Sequence, residues 1–337
     1  MKLPTAKIKK IAVLRALYLG DLLCAVPALR ALRHAYPEAE ISLVGLSWAR
    51  RFVDRFQGYV DRFISFPGYP GLPEQVPNEK ALLDFLENMR KEDFDVVLQM
   101  HGNGTFVNML VQMFGAGDTA GFYSPKGRDF PSECFIPYPE HIPEIHRHLK
   151  LMDSLGIPTQ GDYLEFPLTE RDHADFMALE MPFSERGYLC IHPGSRSPLR
   201  QWPPKYFAAI ADYFAARGLA AVITGTREET HLSREVCKYM KHQAYDLTGK
   251  TSLGAVALLI KNAYALISNC TGVSHIADAM QTPSVIISMD GEPERWSPLN
   301  KELHDVIDWK REPHFGEVFH RMVDFLNTLE KRNCLVV

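Results

Sequence analysis

Arg15-Ala-Leu-Tyr-Leu-Gly-Asp-Leu-Leu23 decides how this chain is read. Ahead of it, residues 11–14 form a short apolar run with strand character. Behind it, residues 22–36 repeat apolar side chains along one helical face at Leu22, Val26, Leu29, Leu32 and Tyr36. A buried strand that passes through a glycine-bearing turn into a helix opens a βαβ unit, and with it a parallel sheet. Pro27 lacks the amide that would bond back to Leu23, so the spacing predicts a kink there.

The same alternation continues outward. Strands are expected at 41–46, 62–66 and 95–100, and the stretch 68–77, rich in proline and glycine, is expected as a loop long enough to serve on the acceptor side. The pattern restarts later with strands at 188–192, 220–224, 264–269 and 284–289 and helices at 204–217, 228–241, 253–262 and 272–280. Val318, Phe319, Met322, Phe325, Leu326 and Leu329 give a terminal amphipathic helix. The expected organisation is a domain at 1–155, a linker at 156–185 and a second domain at 186–337. Two α/β domains facing each other would form a cleft at the carboxyl ends of their strands, where open sheets bind ligands.

Composition narrows the function classes. The 337 residues suffice for two cores, and 46% hydrophobic with 23% charged residues is ordinary for a globular protein. A formal net charge of −4 offers no overall basic field for nucleic acid. Cys24, Cys134, Cys190, Cys237, Cys270 and Cys334 are scattered without a CxxC, which favours reduced thiols and a cytoplasmic setting. The N-terminus is too polar to open a signal peptide, and no run approaches the ~20 apolar residues that span a bilayer. Any membrane role is expected to be peripheral.

Four loops that follow strands carry the candidate chemistry. In the first, Asp21 is either an acid that interacts with a helix start or a general base held ionised there. In the second, Asn269-Cys-Thr-Gly-Val-Ser-His275, about 250 residues further on, Thr271, Gly272 and His275 form either a capped helix start or an anion cradle. In the third, His192-Pro-Gly-Ser-Arg-Ser-Pro-Leu-Arg-Gln-Trp-Pro203, Ser195, Arg196 and Arg200 suit a pyrophosphate or belong to a solvated loop. The fourth, Thr224-Gly-Thr-Arg-Glu-Glu229, offers carboxylates for ribose hydroxyls or a solvated helix start. His141, His146 and His148 resemble a metal cluster but lack a completing ligand and are expected as surface histidines. GxGxxG, GxxxxGK[ST] and GxSxG are absent, which removes support for dinucleotide enzymes, P-loop kinases and α/β hydrolases.

Residues 11–23 followed by Val26-Pro-Ala-Leu-Arg-Ala-Leu-Arg33, the His192 loop, Leu247-Thr-Gly-Lys-Thr-Ser-Leu253 and the Asn269–His275 turn share their order and spacing with one family. The chain resembles glycosyltransferase family 9, the heptosyltransferases of the lipopolysaccharide inner core, from about residue 8 to Pro298. The resemblance implies a GT-B fold, with two Rossmann-like domains facing across a cleft. It also implies inverting transfer without a metal or other cofactor, from a nucleotide-diphosphate sugar, commonly ADP-heptose, to a glycan, glycolipid or small-molecule acceptor. Asp21 then matches the catalytic base. Ser195, Arg196, Arg200, Glu228 or Glu229, Thr251, Thr271, Gly272 and His275 fall on the donor side, with Thr251 near the adenine. Arg15, Gln99, His101 and Asn103 fall where acceptor contacts are expected. Cys270 departs from the family, which usually has an acid before Thr-Gly, and a thiol is a poor acceptor in its place. The alternatives to this reading are a UDP-sugar 2-epimerase, which shares the two-domain architecture, and a non-catalytic nucleotide-sugar-binding protein.

Overall fold

A computed structural model describes residues 3, 8–126 and 134–331; Cys334 and most of the polar N-terminal stretch lie outside these. The chain forms two compact units, Met1–Tyr163 and Leu164–Val337.

The first unit carries β1 (Lys10–Leu14), β2 (Glu40–Gly45), β3 (Arg62–Ser65), β4 (Val96–Gln99), β5 (Asp118–Tyr123) and β6 (Phe135–Pro137) in the order β3-β2-β1-β4-β5-β6. Every pairing is parallel, with Leu14 of β1 between Val44 and Gln99. Burial on both faces explains why β1, β2 and β4 read as largely apolar runs. The helix Leu19–Ala35 runs through Pro27 without interruption and buries the side chains from Leu22 to Leu32. Its N-terminus lies nearer β1 than the sequence pattern places it, leaving only Arg15 to Tyr18 to connect them. The core on one face of the sheet gathers Leu14, Phe85, Met89, Leu110 and Phe114, with Phe85 edge-on to Phe114 at 5.5 Å.

The second unit repeats the plan. It contains β7 (Tyr188–His192), β8 (Ala220–Ile223), β9 (Ala244–Asp246), β10 (Ala265–Asn269), β11 (Ser284–Ser288) and β12 (His304–Asp308), ordered β12-β11-β10-β7-β8-β9 and again parallel throughout. Read from β9, this is the strand order of the first unit. Its core centres on the fully buried Trp202, whose ring meets Phe207 edge-on at 5.2 Å and Trp309 at 5.5 Å. The helix Phe315–Lys331 closes it with Val318, Met322, Leu326 and Leu329.

The segment expected as a linker, 156–185, is divided between the units. Arg30 donates to the carbonyls of Gln160, Gly161 and Tyr163, holding that stretch on the first unit. Thr169 opens the helix Glu170–Met177, which packs against the helix Leu253–Lys261 of the second.

Candidate functional site

In a parallel sheet of this order, the loops leaving the two strands at the reversal point diverge and leave a crevice. In the first unit those strands are β1 and β4. Arg15 leaves β1 fully buried, with Nε on the Asp21 carbonyl at 2.9 Å, Nη1 on the Met100 carbonyl and Nη2 on Glu144 Oε1 at 3.0 Å. The guanidinium therefore ties the turn bearing Asp21 to the loop after β4. Asp21 sits half-buried in the first helical turn, where the helix dipole favours its charge. The N-cap is Tyr18, without a side-chain bond, so the capping position is not the one Asp21 fills.

His101 is also buried and accepts the Ala16 amide on Nδ1 at 3.2 Å, which leaves its proton on Nε2. Nε2 lies 3.8 Å from Glu74. Burial, and then the Arg15 charge, push the His101 ring down to about 4, so it is neutral at pH 7. Glu74 is brought here by the loop 68–77, whose carbonyl at Glu74 takes the Tyr18 hydroxyl at 3.2 Å. Asn103 is exposed and folds its Oδ1 onto the amide and hydroxyl of Thr105.

Two acceptor-side expectations need correction. Gln99 is wholly buried; its amide nitrogen donates to the His101 carbonyl at 2.6 Å and its oxygen accepts the Phe122 amide at 3.0 Å. Like Arg15, it braces the rim from beneath and presents nothing to a ligand. The histidines need one too: His148 is buried against Glu144, while His146 pairs with Asp162 at 2.9 Å. Among the described residues no group of three or more His, Cys, Asp and Glu side chains is placed to hold a metal ion.

The second unit reverses between β7 and β10. Asn269, fully buried at the end of β10, donates to the carbonyls of Pro193 at 2.7 Å and Gly194 at 3.3 Å, and accepts the Trp202 amide at 2.8 Å. One amide thus locks both ends of the His192–Pro203 loop to the Thr271 turn. Within that loop Ser195 is buried, whereas Arg196 and Arg200 are exposed. Arg200 Nη2 lies 3.3 Å from Asp290 Oδ2.

Thr271 is the N-cap of the helix Gly272–Ala279, and its hydroxyl makes no capping bond to that helix. The threonine side chain is therefore not spent on the amides that open this helix, a kind of position that suits an anion. His275, on the first turn, is buried with its ring 6.4 Å from that of Trp296. Cys270 is buried beside them; burial, with the charge of Asp290, pushes its thiol up to about 12, so it stays protonated and weakly polar.

Glu229 closes a capping box with Thr226 and lies against the loop after β7: a Cβ built on Gly194 would meet its Oε1 at 2.2 Å. Glu228 is exposed, its pKa lowered first by a backbone hydrogen bond. The structure thus separates two carboxylates that the sequence leaves equivalent, and it is Glu229 that faces the crevice. Gly249 donates its amide to the Gly225 carbonyl at 2.9 Å, bringing the turn that ends in the half-buried Thr251 to the same rim. Asn269, Asp290 and Glu74 were missed. Asn269 stood inside a recognised motif, and the pairing that gives it its task joins strands far apart in sequence.

The sequence profile of Glycosyltransferase family 9 (heptosyltransferase) matches residues 82–318. Lipopolysaccharide heptosyltransferase 2 of Escherichia coli K12 is 24% identical over 86% of each chain. Among solved structures, a family 9 glycosyl transferase from Veillonella parvula superposes with a TM-score of 0.79 at 20% identity, covering 97% of this chain and 99% of that one. The E. coli ADP-heptose lipopolysaccharide heptosyltransferase II gives 0.74 at 19% identity over 96% and 100%. The shared fold is GT-B, built from two Rossmann-like units. With the profile spanning most of the chain, the Thr271 turn included, this protein belongs to glycosyltransferase family 9 and is an enzyme of sugar transfer.

Proposed function

We propose that the enzyme transfers a heptose from an ADP-linked donor to a hydroxyl of a glycan or glycolipid, with inversion and without a metal. The observation that carries this reading is the β7–β10 rim. There, Asn269 fastens the arginine-bearing loop to a helix start whose threonine is not spent on capping. The donor's diphosphate rests on the Thr271–Gly272 amides beside Ser195, Arg196 and Arg200, with His275 on the same turn. Its ribose meets Glu229, and its base lies toward Thr251. Asp21 accepts the proton of the acceptor hydroxyl as that oxygen attacks the anomeric carbon. The bond to the diphosphate oxygen breaks, and its electron pair leaves on ADP. Arginine and helix amides receive that charge in the transition state, which is the account of the leaving group that needs no metal. His101 and Asn103 are the first unit's candidates for acceptor contact. Membership of a transferase family favours this reading over a UDP-sugar 2-epimerase.

The test has two arms. Thermal shift with ADP, UDP and their sugars should show preferential stabilisation by the ADP compounds. Asp21→Ala should lower turnover about 10²–10⁴-fold with donor affinity largely kept. Stabilisation by UDP compounds alone, or full turnover in the variant, would defeat the reading.

A further inference from the structure

The two oxygens of the Asp290 carboxylate, just past the end of β11, are treated differently. Oδ1 is anchored, accepting the Ser288 hydroxyl at 2.9 Å and the Glu292 amide at 3.2 Å. Oδ2 is out of contact with solvent and receives no hydrogen bond. The Lys310 ammonium holds the Asp290 carbonyl at 2.7 Å, so the backbone is also fixed. Arg200 lies over Oδ2 at 3.3 Å, its own side chain 46% exposed against 12% for Asp290. An enclosed carboxylate oxygen that has an ion-pair partner but no hydrogen bond is under-satisfied, and a hydroxyl donor from a ligand would complete it.

Its place in the sheet says which part of a ligand that is. The order is β11-β10-β7-β8, with Glu229 following β8 and the anion-binding turn following β10. A nucleotide sugar whose ribose lies toward β8 and whose diphosphate sits at the β7–β10 reversal carries its sugar toward β11 when it continues along the same line. The Cys270 amide bonds to the Ile287 carbonyl at 2.9 Å, which sets the end of β10 beside the strand that leads to Asp290. Cys270 itself is a weak acceptor for sugar hydroxyls.

We propose that Asp290 accepts a hydroxyl of the donor's sugar, and that Arg200 covers it until the diphosphate draws the guanidinium away. The inference rests on the donor reading above and adds to it a residue that selects the sugar. In the structure the arginine is paired with the acid. In the loaded site each finds its own part of the donor, so one ion pair is exchanged for two contacts with the ligand.

Asp290→Asn tests this, because the amide oxygen can keep the anchored position of Oδ1 while an NH2 replaces Oδ2. Calorimetric titration compares ADP with ADP-heptose on wild type and variant. ADP affinity should be unchanged or tighter, since Arg200 is released, and this binding also certifies that the variant is folded. ADP-heptose should weaken about 10–100-fold. Equal losses for both ligands, or an undiminished affinity for ADP-heptose, would overturn the proposal. Wild-type protein that binds UDP-sugars and not ADP would overturn the donor reading itself, and this proposal with it.

Discussion

Asn269 carries no charge and touches no surface, yet three of its hydrogen bonds hold the second unit's rim together. Asn269→Asp keeps its shape but turns the amide that faces the Pro193 and Gly194 carbonyls into an oxygen. Two acceptors are then left facing a third. The loss of stability should be about 1–3 kcal/mol, larger if the acid ionises, with weaker ADP binding; denaturant melts and ADP titration measure both. Gly194→Ala probes the neighbouring carboxylate. Its new methyl falls on Glu229, whose Oε2 accepts the Thr226 amide at 2.7 Å, so moving that side chain aside also opens the capping box, at a cost of about 0.5–2 kcal/mol. The ribose contact would go with it, and ADP affinity should fall; an unchanged affinity would remove Glu229 from the donor site. At this scale the sequence showed the loops and not the tasks. A strand end followed by Gly, Ser, Thr and Arg marks a rim because those residue types suit tight turns and anions. Whether Arg15 or Gln99 points into the crevice or beneath it depends on partners such as Met100, Phe122 and Glu144, which only folding supplies.

Among the elements, the helices Glu170–Met177 and Leu253–Lys261 meet where Gly254 faces Asp172. Ordinarily alanine in place of glycine favours a helix by about 1 kcal/mol. Here the added Cβ would lie 1.7 Å from Asp172 Oδ1, and that carboxylate is pinned because Oδ2 accepts the Thr169 amide at 2.8 Å. Gly254→Ala should therefore destabilise by about 1–3 kcal/mol, and adding Asp172→Ala should recover part of the loss. Equilibrium unfolding of the single and double variants checks this; a stabilised single variant would show that the helices part freely. Complete burial makes a strand plainly legible, although β3, partly exposed along its length, is legible too. β7, β10 and β11 are buried at every residue, so each reads as a run of apolar and small side chains bounded by turns. β6 and β9 are three residues long at sheet edges, and β12 places only Val306 and Ile307 between polar residues, leaving too little periodicity to recognise. The helix Glu79–Lys91 escaped notice behind the proline-rich loop, although Asn78 caps it through the Ala81 amide at 3.0 Å.

For the molecule as a whole, one strand order used twice places each set of candidate residues at a reversal point, β1–β4 and β7–β10. The two solutions to holding such a point differ in how they respond to acid. The second uses a neutral amide, Asn269, which does not titrate. The first uses Arg15, with Glu144, His101 and His148 packed around it. Burial, followed by the Arg15 charge, pushes both histidines down to about 4, below the ordinary value of 6.5. The unfolded chain then binds more protons than the folded one between those values, so unfolding becomes easier as the solution is acidified. This stability is fully present above about pH 6.5, is lost progressively as pH falls toward 4, and levels off below that. Each ring contributes on the order of a few kcal/mol over that window. Thermal unfolding followed from pH 7 to pH 4 should show the decline, and His101→Asn should make it shallower while its side-chain oxygen still accepts the Ala16 amide. A wild-type profile that stays flat across the window, or a variant that falls as steeply, would mean that these rings are solvated or already charged in the folded unit, and that Arg15 does not set the electrostatics beneath Asp21.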